Sequence, residues 1–266
     1  MISIPIATAL AASILCTSFI SGIFGMAGGM ILMAILLATM PLSAAMVLHG
    51  VTQMASNGWR AWLWREHIDW PVVALYSVGS LLAAATLAVV SFTPNKATTL
   101  IVLGVMSFIG LLVPLRIAPD ITRPADCVGC GGLCTVLQLT TGVSGPIFDV
   151  FFVRARLDRR QIVATKAAIQ VLGHTVKVLY FAPALGAAAD VPAAAVMLAI
   201  LLAPAGTQLS RRVLDAISDA QFRRWTRTII AVIAAACAVQ GGLLLLSEPR
   251  NVAPDDATPI TIARDV

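Results

Sequence analysis

Charge is what this chain has least of. Only 12% of its 266 residues are Asp, Glu, Lys or Arg, about half the share found in soluble domains, so water is excluded as the solvent for most of it. Histidine is scarce, with three residues, and the five cysteines include one CxxC pair, Cys127 and Cys130. No second pair and no nearby histidine complete a zinc site, so neither a metal nor a cofactor is expected. There is no Walker motif to cradle ATP phosphates, no HExxH and no nucleophile elbow. Direct ATP use drops out, and the chain is not expected to be an enzyme. The N-terminal MISIPIATALAASILCTSFISG lacks the positively charged segment of a secretory signal and reads as a retained first span.

What is abundant is apolar sequence: 59% of residues are hydrophobic and the mean hydropathy is +0.91. A membrane span needs about 20 mostly apolar residues, and stretches 4–24, 42–63, 71–91, 97–115, 159–183, 191–207 and 228–246 approach or exceed that length. Two more, 26–40 and 127–153, are interrupted or edged by glycines. The longest polar pieces are a linker at 208–227 and a tail from Glu248 to Val266, whose Pro, Asp and Thr content reads as disordered. The expected fold is all-α, a polytopic membrane protein of about 8–10 helical segments. The net charge of +5 is spread over short loops beside spans, which points to the lipid bilayer and its topology rules, not to nucleic acid.

Sliding the chain by 117 residues sets Gly25 on Gly142, Gly28 on Gly145 and Gln53 on Gln170, so that 19–60 echoes 136–177. GMAGG (25–29) then faces GVSGP (142–146), His49 faces Lys166, Asn57 faces His174 and Arg60 faces Lys177. Glycine breaks and polar positions recurring in apolar sequence mark internal transporter repeats. The expected division is a first repeat over 1–117, a second over 118–247 and a polar tail over 248–266. Residues 26–40 and 145–154 are short for spans, so they either cross or re-enter as half-helices near the midplane.

If every segment reverses direction, Arg60, Arg65, Arg116 and Arg123 share one face with nine arginines between Arg154 and Arg227, leaving Lys96, Arg250 and Arg264 on the other. If each break merely interrupts one span, that bias largely vanishes. The positive-inside rule favours reversal, which puts both termini on the periplasmic side of a bacterial inner membrane and makes the two repeats inverted. Trp59, Trp62, Trp64 and Trp70 then sit at the cytoplasmic interface.

His49, Gln53 and Asn57 fall at i, i+4 and i+8 and so share one helix face, as do Lys166, Gln170 and His174, with Lys177 close to one turn further. Polar groups inside a span need partners or a wet cavity, and two matching stripes can face one substrate site. Interhelical hydrogen bonding as packing glue is the plainer alternative. Half-helices starting at Gly28 and Gly145 aim backbone N–H groups and positive dipole ends into the interior, favouring anions. Gly29 and Ser144 extend the two breaks. Asp149 has only Leu32 opposite it in the first repeat. It either pairs with Lys166 or Lys177, or serves as a proton-coupling carboxylate beside His174.

The run SGIFGMAGGMILMAILLATMPLSAAMVLHGVTQMASNGWRA, with the second copy TTGVSGPIFDVFFVRARLDRRQIVATKAAIQVLGHTVK, resembles the TauE/SafE family of sulfite and organosulfonate exporters. That resemblance covers nearly the whole chain. It implies a secondary transporter that exports small sulfur-containing anions such as sulfite or sulfoacetate, coupled to a proton or sodium gradient, with the glycine elements around Gly25, Gly28, Gly29, Gly142 and Gly145 forming the site. Ser144 and Pro146 depart from the first copy, where Ala27 and Gly29 stand. Oligomeric state is open, a homo-oligomer included. The competing reading is a membrane thiol-disulfide conductor resembling the CcdA/DsbD type, in which Cys16 and Cys134, one position apart in the repeat alignment, meet inside the bilayer.

Overall fold

Long apolar runs punctuated by proline, glycine and capping residues leave the backbone one solution in lipid, hydrogen-bonded helices. The computed structural model describes residues 3–114, 116–184 and 191–247, and among them no strand occurs. In chain order the helices are α1 (Ile4–Phe24), α2 (Ala27–Thr39), α3 (Leu42–Leu63), α4 (Trp70–Val89), α5 (Lys96–Leu112), α6 (Pro124–Thr141), α7 (Gly145–Phe152), α8 (Arg159–Phe181), α9 (Ala193–Leu209), α10 (Arg211–Ala216) and α11 (Asp219–Ser247). The protein is an all-α polytopic membrane protein. Among the described residues, five helices are long and apolar enough to cross a bilayer: α1, α4, α8, the stretch Ala193–Val213 and the α11 segment Arg224–Ser247.

Helix starts follow local chemistry. Proline occupies the first turn of α1, α4, α6 and α7, where its missing N–H costs nothing. Asp69 caps α4 by accepting from the Val72 N–H, and Asn95 caps α5 through the Thr98 N–H. Asp158 and Gln161 form a reciprocal capping box at α8. The ends of α1 and α6 turn on Gly25 (φ 66°) and Gly142 (φ 78°), a backbone region that L side chains rarely adopt.

The glycine-interrupted stretch 127–153 divides into α6 and α7 at Gly142, as the short segment 145–154 implied. One expectation changes in detail. The polar linker 208–227 is largely helical, holding α10 and the first turns of α11. Ser218 and Gln221 explain this: the Gln221 side chain accepts from the Ser218 N–H at 3.1 Å and the Ser218 hydroxyl accepts from the Gln221 N–H at 3.3 Å, a capping box that starts a helix in polar sequence. The tail 248–266, with Arg250 and Arg264, lies outside the described residues.

Apolar faces gain nothing by leaving lipid, so helix association here rests on close contact at small residues. Gly28 lets α2 fold back onto α1, where any side chain would strike the Thr17 carbonyl and Ser21. Gly79 rests on the Val128 carbonyl and Gly131 on the Tyr76 carbonyl, joining α4 to α6. The other principal pairings are α1 with α9, α5 with α11, and α3 with α8. Met30, Leu32, Met33 and Leu37 of α2 are fully buried, whereas Leu81 and Leu82 of α4, Leu201 of α9 and Val232 of α11 stand exposed as a lipid-facing surface. A shift of 117 carries α1 to α6, α3 to α8 and α4 to α9, and it turns the α1–α9 pairing into the α6–α4 pairing.

Candidate functional site

A cavity of about 730 Å³ opens between α1, α3, α8 and α9. Among the described residues, five basic ones line it, Arg60, Arg159, Arg160, Lys166 and Arg211, and no carboxylate does. Ser21, Thr207, Ser210 and Gln170 add uncharged polar groups, and Gly25 and Met26 bring its wall to the start of α2. Low-dielectric walls carrying one sign of charge concentrate ions of the other sign. Arg60 is held by donating to the Ser21 carbonyl at 3.3 Å, and the Arg160 guanidinium lies 5.8 Å from the centre of the Trp64 ring. Arg60 precedes the second break and Arg159 follows it, yet both face one cavity.

Lys166 donates to the Asp149 carboxylate, the one ion pair among the described residues, with the two side chains 23% and 40% exposed. Asp149 is therefore the partner of Lys166 and not of Lys177. The Lys166 ammonium also lies 5.9 and 5.7 Å from the ring centres of Phe148 and Phe152, within cation–π range.

Beyond the cavity, a second set of polar groups is sealed in the core. Lys177 is fully buried and donates to the Gly142 carbonyl at 2.9 Å and to His49 Nδ1 at 2.7 Å. His49 Nε2 lies 2.9 Å from the Gly29 carbonyl. A carbonyl only accepts, so Nε2 carries the proton and Nδ1 is free to accept from Lys177. One chain of bonds thus links the carbonyls of both glycine breaks. The His174 ring stands 5.4 Å from that of His49, and His174 Nδ1 accepts from the Gln138 amide at 2.8 Å. Ser144 in turn donates to Gln138 at 3.1 Å. Asn57 donates to the Gln53 backbone carbonyl at 2.9 Å, while the Gln53 amide nitrogen, buried against Gly29, has no partner.

The structure thus brings Gly29, His49, Gln53 and Asn57 together with His174 and Lys177, and places Lys166 and Gln170 in the open cavity. Along α8, Lys166 and Gln170 line the cavity, whereas His174 and Lys177, about 12 and 16 Å further along the helix axis from Lys166, are sealed in the core. Gly28 serves the α1–α2 contact, and Gly145 packs on Met26, so the two breaks abut. Sequence reasoning passed over Gln138 and Ser21. They are repeat mates, since 21 and 138 differ by the same 117, and that register was the signal that could have found them. Cys16 is exposed on α1, whereas Cys134 is buried, 3.8 Å from Cys130, and no disulfide joins the two. Among the described residues no three His, Cys, Asp or Glu side chains gather as a metal site.

Apolar helices that face lipid outward and enclose a cationic cavity beside two broken helices define a polytopic membrane protein built like a transporter. The protein-family model described as Sulfite exporter TauE/SafE matches residues 10–237, and the chain belongs to that family of membrane transporters. Comparison with the curated proteins and with the solved structures gave no match.

Proposed function

We propose that this protein exports small sulfur-containing anions, sulfite, sulfoacetate or related organosulfonates, by alternating access between the repeats 1–117 and 118–247. The observation that carries this reading is the cavity walled, among the described residues, by five basic side chains and no carboxylate. Its volume of about 730 Å³ falls within the range of small-molecule sites and admits an oxyanion with part of its hydration shell. The arginine-rich end is the cytoplasmic one by the positive-inside rule, so both termini are periplasmic in an inner membrane and the cavity loads from the cytoplasm, as export requires. An inside-negative potential adds about 2.3 kcal/mol per charge per 100 mV to the outward drive on an anion.

In this reading Lys166 and Gln170 meet the anion in the cavity. The backbone N–H groups at Gly28, Gly29 and Gly145, with Ser144, present the positive ends of the broken helices. His49, Gln53, Asn57 and His174 complete the substrate path, and Asp149 and Lys177 are the groups able to carry a coupling proton; sodium is the alternative coupling ion. The test is equilibrium binding of sulfite, sulfoacetate and other small sulfonates to purified protein, beside Lys166→Ala and Gln170→Ala. Saturable binding weakened by both substitutions supports the reading. Folded protein that binds none of these anions overturns the substrate assignment.

A further inference from the structure

The open cavity and the sealed cluster are related residue by residue. The shift of 117 carries Ser21 to Gln138, Met26 to Val143 and Arg60 to Lys177, and carries Lys166 and Gln170 back to His49 and Gln53. The first member of each pair lines the cavity. The second is buried, with exposures running from 0% at Lys177 to 8% at Val143. The bonding recurs too: Arg60 of α3 donates to the Ser21 carbonyl in the last turn of α1, and Lys177 of α8 donates to the Gly142 carbonyl just past α6, at 3.3 and 2.9 Å.

The sealed cluster makes a poor permanent core. Around Lys177, the titratable groups are His49 from α3 and His174 from its own helix, and among the described residues no carboxylate lies within 4 Å. An ammonium held out of water without an anion is costly, and so is the unpartnered Gln53 amide. Both costs are relieved if the cluster is periodically hydrated or meets an anion.

We infer that Lys177, His49, Gln53 and Gln138 form the closed half of the permeation pathway, the anion site of the opposite-facing conformation. When the halves exchange conformations, these groups line a cavity open to the other side while Arg60, Lys166 and Gln170 are sealed. The physical basis is that inverted repeats of similar sequence hold two conformations related by swapping the roles of the halves. The inference rests on the transport reading above and adds to it the residues that receive the anion on the second side.

The test uses the full chain carrying Cys16→Ser, whose remaining cysteines are buried, with single substitutions Met26→Cys, Gln170→Cys, Gln53→Cys or Val143→Cys. A membrane-impermeant thiol reagent is applied to each side of sealed vesicles of one orientation, with and without sulfite. Val143→Cys is a small change that preserves folding, which size exclusion and circular dichroism check for every variant. The expected result is that Met26→Cys and Gln170→Cys react from one side only and Gln53→Cys and Val143→Cys from the other, with sulfite slowing both sets. If all four react from the same side, or the second pair reacts from neither side while the first does, the inference is overturned, even if anions bind. Opposite sidedness with no effect of any anion supports the two-sided pathway and overturns the substrate reading instead.

Discussion

Lys177 of α8 donates a 2.7 Å hydrogen bond to His49 of α3, across the helix pair at the centre of the bundle, and neither side chain reaches solvent. Through Gly142 on one side and Gly29 on the other, this contact ties together the two places where the chain abandons regular helix. The open cavity, by contrast, is approached through Lys166 and Arg60. The proposed function therefore assigns binding and translocation to different lysines.

That separation predicts two distinct phenotypes. Lys166→Ala removes a cavity cation and leaves the Asp149 carboxylate unneutralised beside the site, so anion affinity measured by calorimetry falls about tenfold or more, the worth of about 1.4 kcal/mol. Lys177→Met leaves that affinity within about threefold, a change under about 0.7 kcal/mol, because Lys177 does not line the cavity. Anion flux in proteoliposomes is nevertheless lost. Equal loss of affinity in both variants would place Lys177 in the open site.

Asp149 competes with the substrate for Lys166. The pair is partly exposed, so its strength is about 1 kcal/mol or less. Asp149→Asn frees the ammonium and tightens anion binding up to about fivefold, with the gain shrinking as salt is raised. Weaker binding in Asp149→Asn would show that the carboxylate orients Lys166 and does not compete.

The break glycines separate conformational from steric cost. No atom stands within 4 Å of a Cβ added at Gly25, so Gly25→Ala pays only for its sparsely populated backbone conformation, φ 66° and ψ −114°, about 1–3 kcal/mol. At Gly142 the same change also presses on Met33 at 2.7 Å and Met46 at 3.0 Å. Thermal unfolding in detergent should rank wild type above Gly25→Ala and Gly25→Ala above Gly142→Ala. The reverse order would mean that the methionines yield freely.

At the loop before α8, the Asp158 carboxyl is held below its ordinary value, first by the Gln161 N–H and then by the Arg160 N–H. A depressed carboxyl contributes stability above its unfolded pKa and loses it as pH falls through the folded value. Wild type should thus exceed Asp158→Ala in thermal stability at neutral pH, and the difference should close as pH drops below about 3.8. A gap that persists in acid would trace the effect to something other than the ionised cap.

Much of the architecture was legible in the chain itself. The limits of α1 and α3 coincide with the apolar stretches 4–24 and 42–63, because proline at their starts and the break at Gly25 punctuate long runs that lipid forces into helix. The 208–227 segment was misread because composition registers polarity, whereas the Ser218–Gln221 capping box that starts α11 depends on spacing. Within the candidate site, the i, i+4 stripes of α3 and α8 were visible as patterns, and so was the pairing of Gly25 with Gly142.

What the sequence by itself determined is the all-helical membrane chain, the family it belongs to and the positions of its helix breaks, since these follow from local hydropathy, backbone stereochemistry and short motifs. Only the tertiary structure decided that Asp149 takes Lys166 and not Lys177, that Gln138 joins His174, and which end of the α8 stripe is wet and which is sealed. Those outcomes depend on distances between helices far apart in the chain, and the same side chain binds solvent or a buried carbonyl according to which helix lies across from it.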